Sequence, residues 1–168
     1  MAEWFVAYVR SCQEKTVAAR LASLAMEHYV PIRKERRRWS DRIVVKDRLL
    51  LPRVVFIHCT ETERLGLFKE IPYLCYFMMD RLTKKPVTVP QKQMDTFRRV
   101  VDGSASQVEM RSSEEFVPGD KVRVIDGPLK DVECEVTSIK NKIYICVRLG
   151  MLGAAITEIG ASQVIKID

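Results

Sequence analysis

Residues 102–114, DGSASQVEMRSSE, are small and polar with few large apolar groups, and they interrupt a chain otherwise rich in apolar periodicity. Such a stretch reads as a flexible linker. The chain has 168 residues, enough for one domain or two small ones, and the change in pattern across the break argues for two. The expected division is a first domain over 1–103, a linker over 104–114 and a second domain over 115–168.

Before the break, strand and helix signals alternate. WFVAYVR (Trp4–Arg10) is aromatic and β-branched and reads as a buried strand. Ser11 and Glu14 have the spacing of a capping box. Val17, Leu21, Leu24 and Ala25 then mark one face of a helix that is expected to run to about His28 and stop before Pro31. Residues 30–48 alternate loosely about WSD and predict a β-hairpin. RVVFIHC and YLCYFMM predict strands, ETERLGLFKEI a short helix, and VPQKQMDTFRRVV a helix with Met94, Phe97 and Val101 on one face. This order predicts an α/β sandwich with a mainly antiparallel sheet.

After the break come KVRVID, VECEVTSI, IYICVRL, AAITEI and QVIKI, separated by DGP, KNK, GMLG and GAS. Five short strands at this spacing predict a small β-barrel, SH3-like in size. The overall class is therefore α+β, and a second domain of about 50 residues is near the lower limit for folding alone.

Charge is unevenly placed. Residues 1–103 carry 20 Lys/Arg against 12 Asp/Glu, and residues 104–168 carry 8 against 10. Arg33–Arg53 alone has a net charge of +6, equal to that of the whole chain. A field so local favours a dedicated contact over general solubility. RKERRRWSDR (Arg33–Arg42) concentrates it around one aromatic, Trp39. Arg36, Arg37, Arg38 and Arg42 are candidates for phosphate contacts, as are Arg10 and Arg20, with Trp39 a platform for an unpaired base. The same run is compatible with a solvated hairpin in which Trp39 covers arginine stems.

Catalytic and metal chemistry find little support. The five cysteines form no CxxC pair and read as reduced thiols; the two histidines have no partner at ligand spacing. No hydrolase triad, P-loop or paired-carboxylate pattern is present, so no enzyme, cofactor or metal is expected. Apolar runs are too short for a membrane span and the N-terminus does not read as a signal peptide, so a cytoplasmic location without membrane contact is expected.

Two motifs resemble one known family in its order. FVPGDKVRVIDGP, through Phe116, Gly119, Asp120, Val122, Arg123, Val124 and the turn Asp126, Gly127 and Pro128, resembles the KOW domain of NusG-type transcription factors, with Cys134 where the family usually has glycine. WFVAYVRSCQEKTVAARL and LLLPRVVFI resemble the NusG N-terminal (NGN) domain. Leu51, Arg53 and Val54 replace the family's Phe, Gly and Tyr. VPIRKERRRWSDR is similar to the hairpin of specialised members, above all the UpxY-like antiterminators of capsular polysaccharide operons.

The resemblance implies an elongation or antitermination factor whose N-terminal domain binds the clamp helices of the largest RNA polymerase subunit. By bridging the cleft it would suppress pausing and termination. It implies an apolar contact, for which Tyr8, Leu51, Pro52, Val54 and Phe68 are the candidates; Tyr8 and Phe68 also suit an ordinary core. The basic residues would meet upstream or exposed non-template DNA, or nascent RNA. The acidic second domain would meet ribosomal protein S10 or termination factor Rho. Alternatives are an RNA-hairpin-binding antiterminator of LoaP type, a housekeeping NusG and a ribosome-associated KOW protein.

Overall fold

The computed structural model describes residues 1–112 and 119–167. Phe116 of the KOW-like opening lies outside them. The chain divides into two compact units, Met1–Gln91 and Lys92–Asp168.

The first unit is built on β1 (Glu3–Val9), the expected buried strand. On one side it pairs antiparallel with β5 (Val54–Cys59), which in turn pairs with β2 (Glu27–Tyr29). On the other side β6 (Leu74–Phe77) and β7 (Thr88–Val89) share its edge. Side chains alternate across a strand, so Phe5, Ala7, Val9, Val55, Ile57 and Cys59 point one way. They form a core with Val17 and Leu21 of α1 (Glu14–Ser23) and Leu67 of α2 (Glu61–Glu70). Phe77 closes that core, edge-on to Phe5 at 6.2 Å between ring centroids.

Two local expectations are corrected. The residue before α1 is Gln13, and no side chain caps the helix, so Ser11 and Glu14 form no capping box. Glu14 is instead buried and bonds elsewhere. The helix also ends at Ser23 rather than near His28. Ala25 turns left-handed (φ 54°), Ala25 N–H donates to the Ala22 carbonyl and Met26 N–H to the Leu21 carbonyl, a Schellman ending without its usual glycine. That frees Glu27–Tyr29 to pair as a strand. The capping box of this unit lies at α2, where Thr60 and Glu63 exchange side-chain and backbone bonds at 3.2 and 3.1 Å.

The predicted hairpin forms as β3 (Ile32–Trp39) and β4 (Arg42–Leu49), joined at Ser40 and Asp41. It is a two-stranded sheet of its own.

The second unit takes in α3 (Gln91–Gly103) from Lys92 onward. Met94, Phe97 and Val101, the face read from the sequence, are buried. All five expected strands form: β9 (Lys121–Val124), β10 (Glu133–Ile139), β11 (Lys142–Arg148), β12 (Ala154–Glu158) and β13 (Val164–Lys166). Lys140 and Asn141 both adopt left-handed φ between β10 and β11, the backbone a tight two-residue hairpin requires. A sixth strand, β8 (Val108–Arg111), comes from the polar stretch read as linker, and pairs with β12 from Val108↔Thr157 to Arg111↔Ala154. An edge strand needs backbone partners more than apolar side chains, which is why composition hid it.

The sheet order is β13-β9-β10-β11-β12-β8, antiparallel throughout. A small β-barrel is the expectation; among the described residues the end strands do not pair with each other, and no closed barrel is found. β8 occupies the edge of β12 that closure would need. Two glycines permit close backbone approaches: a Cβ on Gly119 would stand 1.6 Å from the Val136 carbonyl oxygen, and one on Gly153 (φ 93°) 2.3 Å from that of Arg111. Among the described residues no helix is long and apolar enough to cross a membrane.

Candidate functional site

The face of the first sheet opposite the α1/α2 core carries Trp4, Val6 and Tyr8 from β1 and Val54, Phe56 and His58 from β5, since residues paired across an antiparallel ladder share a face. At one end Trp4 is buried, stacks on His58 at 5.0 Å and donates its indole N–H to Gln91 Oε1 at 2.8 Å. At the other end Tyr8 stands between Val54 and Tyr76, its register partners on β5 and β6. The Tyr8 and Tyr76 rings stack at 4.8 Å with 21° between planes, and Tyr76 remains 52% exposed. Burial first, then the Tyr76 phenol, pushes the Tyr8 hydroxyl up from its usual value. The sequence does not single out Tyr76, because YLCYFMM reads only as a strand.

Leu51 is half-buried, Pro52 exposed and Val54 buried. Val54 therefore backs this corner from beneath. The turn is held by Arg53, which is left-handed (φ 68°). Its backbone N–H donates to Glu14 Oε1 at 2.8 Å, its Nε to the Val9 carbonyl at 3.1 Å, and its carbonyl accepts from Val9 N–H at 2.9 Å. Phe68 does not join the group. It projects from α2, half-exposed, and meets the Phe77 ring edge-on at 5.6 Å, on the core side of the sheet.

The hairpin register sorts the basic residues onto two faces. The pairs Arg33↔Arg48, Glu35↔Lys46, Arg37↔Val44 and Trp39↔Arg42 share one; Ile32↔Leu49, Lys34↔Asp47, Arg36↔Val45 and Arg38↔Ile43 share the other. Arg37 is thus separated from Arg36 and Arg38, although the three are adjacent in sequence. Trp39 is half-exposed, and Lys46 Nζ lies 5.0 Å from its ring centroid. Arg37 reaches Glu35 at 3.6 Å. Asp47, on the other face, bonds Lys15 of α1 at 2.6 Å; that bond first, and the lysine's charge after it, holds the Asp47 carboxyl below its usual range.

Arg10 is exposed just past β1, where its backbone N–H donates to the Tyr73 carbonyl. Arg20 is engaged at the surface with another element of the fold: its Nε donates to the Glu70 carbonyl at 3.1 Å and its guanidinium pairs with the Glu70 carboxylate at 3.5 Å. It serves the end of α2 and is not brought to the hairpin. In the second unit Gly127 is left-handed (φ 89°), Asp126 Oδ1 accepts from Gly127 N–H at 2.9 Å, and Lys130 N–H donates to the Gly127 carbonyl, so Asp126, Gly127 and Pro128 form the expected tight turn.

Residues 2–98, more than half of the chain, match the family model described as "Transcription termination factor nusG". The chain belongs to the NusG family. Its fold is similar to that of the structure "Domain interaction in Thermotoga maritima NusG", at 20% identity and a TM-score of 0.53, over 100% of this chain and 98% of that one. The "MjSpt4:Spt5 complex conformation A" aligns over 98% of both chains at 16% identity, but its TM-score of 0.33 carries no weight. No curated protein matches the chain. Within the NusG frame, the glycine usual at position 53 has a visible reason, because that residue is left-handed. Here arginine bears the strain, and the bonds to Val9 and Glu14 compensate. Cys134, at another usual glycine, is half-buried, and burial pushes its thiol up to about 12.

Proposed function

We propose that this NusG-family transcription factor binds RNA polymerase through the corner formed by Tyr8, Tyr76, Leu51 and Pro52, with Val54 beneath. The observation that carries the reading is the stacked Tyr8–Tyr76 pair, held half-open at one end of an otherwise buried sheet face. Exposed aromatics on a rigid sheet suit an interface hot spot. The tip of the polymerase clamp helices is the proposed occupant. The hairpin would then lie against upstream or exposed non-template DNA. A factor that binds the closed clamp better than the open one shifts that equilibrium toward closure and suppresses pausing.

The basic WSDR hairpin favours an operon-specific antiterminator of UpxY type over a housekeeping factor. The second unit, a KOW-type module with an acidic balance, suits a protein partner such as ribosomal protein S10 or Rho better than RNA. The test is single-round transcription with purified RNA polymerase on a template with a defined pause. The chain is expected to shorten the pause, and Tyr76→Ala to abolish that effect while leaving the circular dichroism spectrum unchanged. Equal activity of wild type and Tyr76→Ala would remove the corner from the interface.

A further inference from the structure

Of the hairpin's two faces, one has the chemistry of a single-stranded nucleic acid site. Arg33, Arg37, Arg42, Lys46 and Arg48 lie on it with Trp39, and Glu35 is the only acid among these paired positions. From Arg33 to Trp39 the strand rises about 3.3 Å per residue, roughly 20 Å in all. In duplex DNA each strand carries one phosphate per about 3.4 Å of helix axis, so a strand laid along that length presents at most about six phosphates. Five cations offset by one glutamate match such a row. Lys46 sits over the Trp39 ring, and the indole stays 53% exposed. A cation over one side of an indole holds the ring in place, and an open aromatic face is what an unpaired base stacks on.

The opposite face is built differently. Arg36 and Arg38 stand across from Val45 and Ile43, both exposed aliphatic residues, and Asp47 ties the base of the hairpin to Lys15 of α1. That face carries the cations Lys34, Arg36 and Arg38 but no aromatic side chain, so it offers an unpaired base no ring to stack on.

From this we infer that the Trp39 face of the hairpin binds single-stranded nucleic acid, with Trp39 stacking on a base against a Lys46-braced ring and Arg33, Arg37, Arg42 and Arg48 along the phosphates, and that Arg36 and Arg38 lie outside this contact. The inference rests on the reading of the hairpin as a nucleic-acid contact and adds its ligand class and its face.

The full-length chain is titrated with a dodecameric oligothymidylate and, separately, with its duplex, at several salt concentrations. Binding and tryptophan emission are read together. Trp4 is buried and Trp39 exposed, so a stacked base quenches Trp39. The expected result is quenching by the single strand that is lost in Trp39→Phe. Arg37→Ala/Arg42→Ala should weaken binding about ten-fold and lower the log-affinity against log-salt slope by about 1.4, from about 0.7 per contact. Arg36→Ala/Arg38→Ala removes the same charge and should change that slope by less than one contact. An equal effect of the two pairs would overturn the choice of face while leaving the hairpin a nucleic-acid site. Equal binding of single strand and duplex without quenching would overturn the ligand class. Unchanged binding in both pairs would remove nucleic acid from the hairpin altogether. Unchanged circular dichroism of each variant guards against misfolding.

Discussion

Replacing Glu14 by alanine is expected to loosen the turn that carries the Leu51–Pro52 corner. The Glu14 carboxylate is buried, and its Oε1 accepts the Arg53 backbone N–H at 2.8 Å. That amide belongs to a residue held at φ 68°, a conformation costing a non-glycine residue about 1–2 kcal/mol. A hydrogen bond to a charged acceptor contributes about 1.5–3 kcal/mol, and the partner left behind loses its bond as well. We therefore expect Glu14→Ala to cost about 2 kcal/mol. With a urea dependence of about 2 kcal/mol per molar, the unfolding midpoint should fall by about 1 M, followed by circular dichroism. Glu14→Gln keeps an acceptor oxygen and should lose less than half as much. Because the bond is to backbone, the Glu14→Ala effect should persist in an Arg53→Ala background. If it vanishes there, the glutamate was acting on the guanidinium, and the account of the turn is wrong.

Ser11→Ala should leave stability within about 0.5 kcal/mol, whereas Thr60→Ala should cost about 1 kcal/mol by removing the α2 cap; a matching loss at Ser11 on thermal denaturation would contradict the helix start described above. Gly119→Ala places a methyl 1.6 Å from the Val136 carbonyl oxygen, so β10 or its neighbour must move, at a cost of about 3 kcal/mol; wild-type unfolding would show the close approach does not exist. Burial pushes Cys59, Cys134 and Cys146 up to about 12, 12 and 11, while Cys12 and Cys75 are exposed. Since the thiolate is the reactive form, a thiol reagent at pH 8 should label two cysteines quickly in the native chain and all five in denaturant; rapid labelling of a third would refute the burial of these thiols.

The parts of the fold that rest on side-chain periodicity were legible in the sequence. The buried β1, the buried face of α3 and the two arms of the hairpin all carry their own apolar or alternating pattern. The elements that rest on backbone geometry were not. Ala25 ends α1 in a left-handed turn without a glycine to announce it, and β8 joins the sheet from a stretch whose composition reads as linker. The site divides the same way. Tyr8 is a candidate through the family resemblance and the basic run through its residue types, whereas Tyr76 lies in an apolar strand and only the β1–β6 register sets it against Tyr8. The resemblance groups Phe68 with Tyr8 in one apolar contact, and the sheet separates them because α2 covers the other face. The adjacency of Arg36, Arg37 and Arg38 in sequence likewise suggests one cluster, which a two-residue period divides.

The most direct test of the central claim is equilibrium titration of the full-length chain against purified core RNA polymerase without nucleic acid, comparing wild type with Tyr8→Ala/Tyr76→Ala. An interface hot spot costs about 2 kcal/mol or more when truncated, and about 1.4 kcal/mol is ten-fold in affinity. The account predicts saturable binding by the wild type, weakened at least ten-fold in the double variant, with Arg37→Ala/Arg42→Ala binding as wild type. Binding by the double variant at wild-type affinity would contradict it.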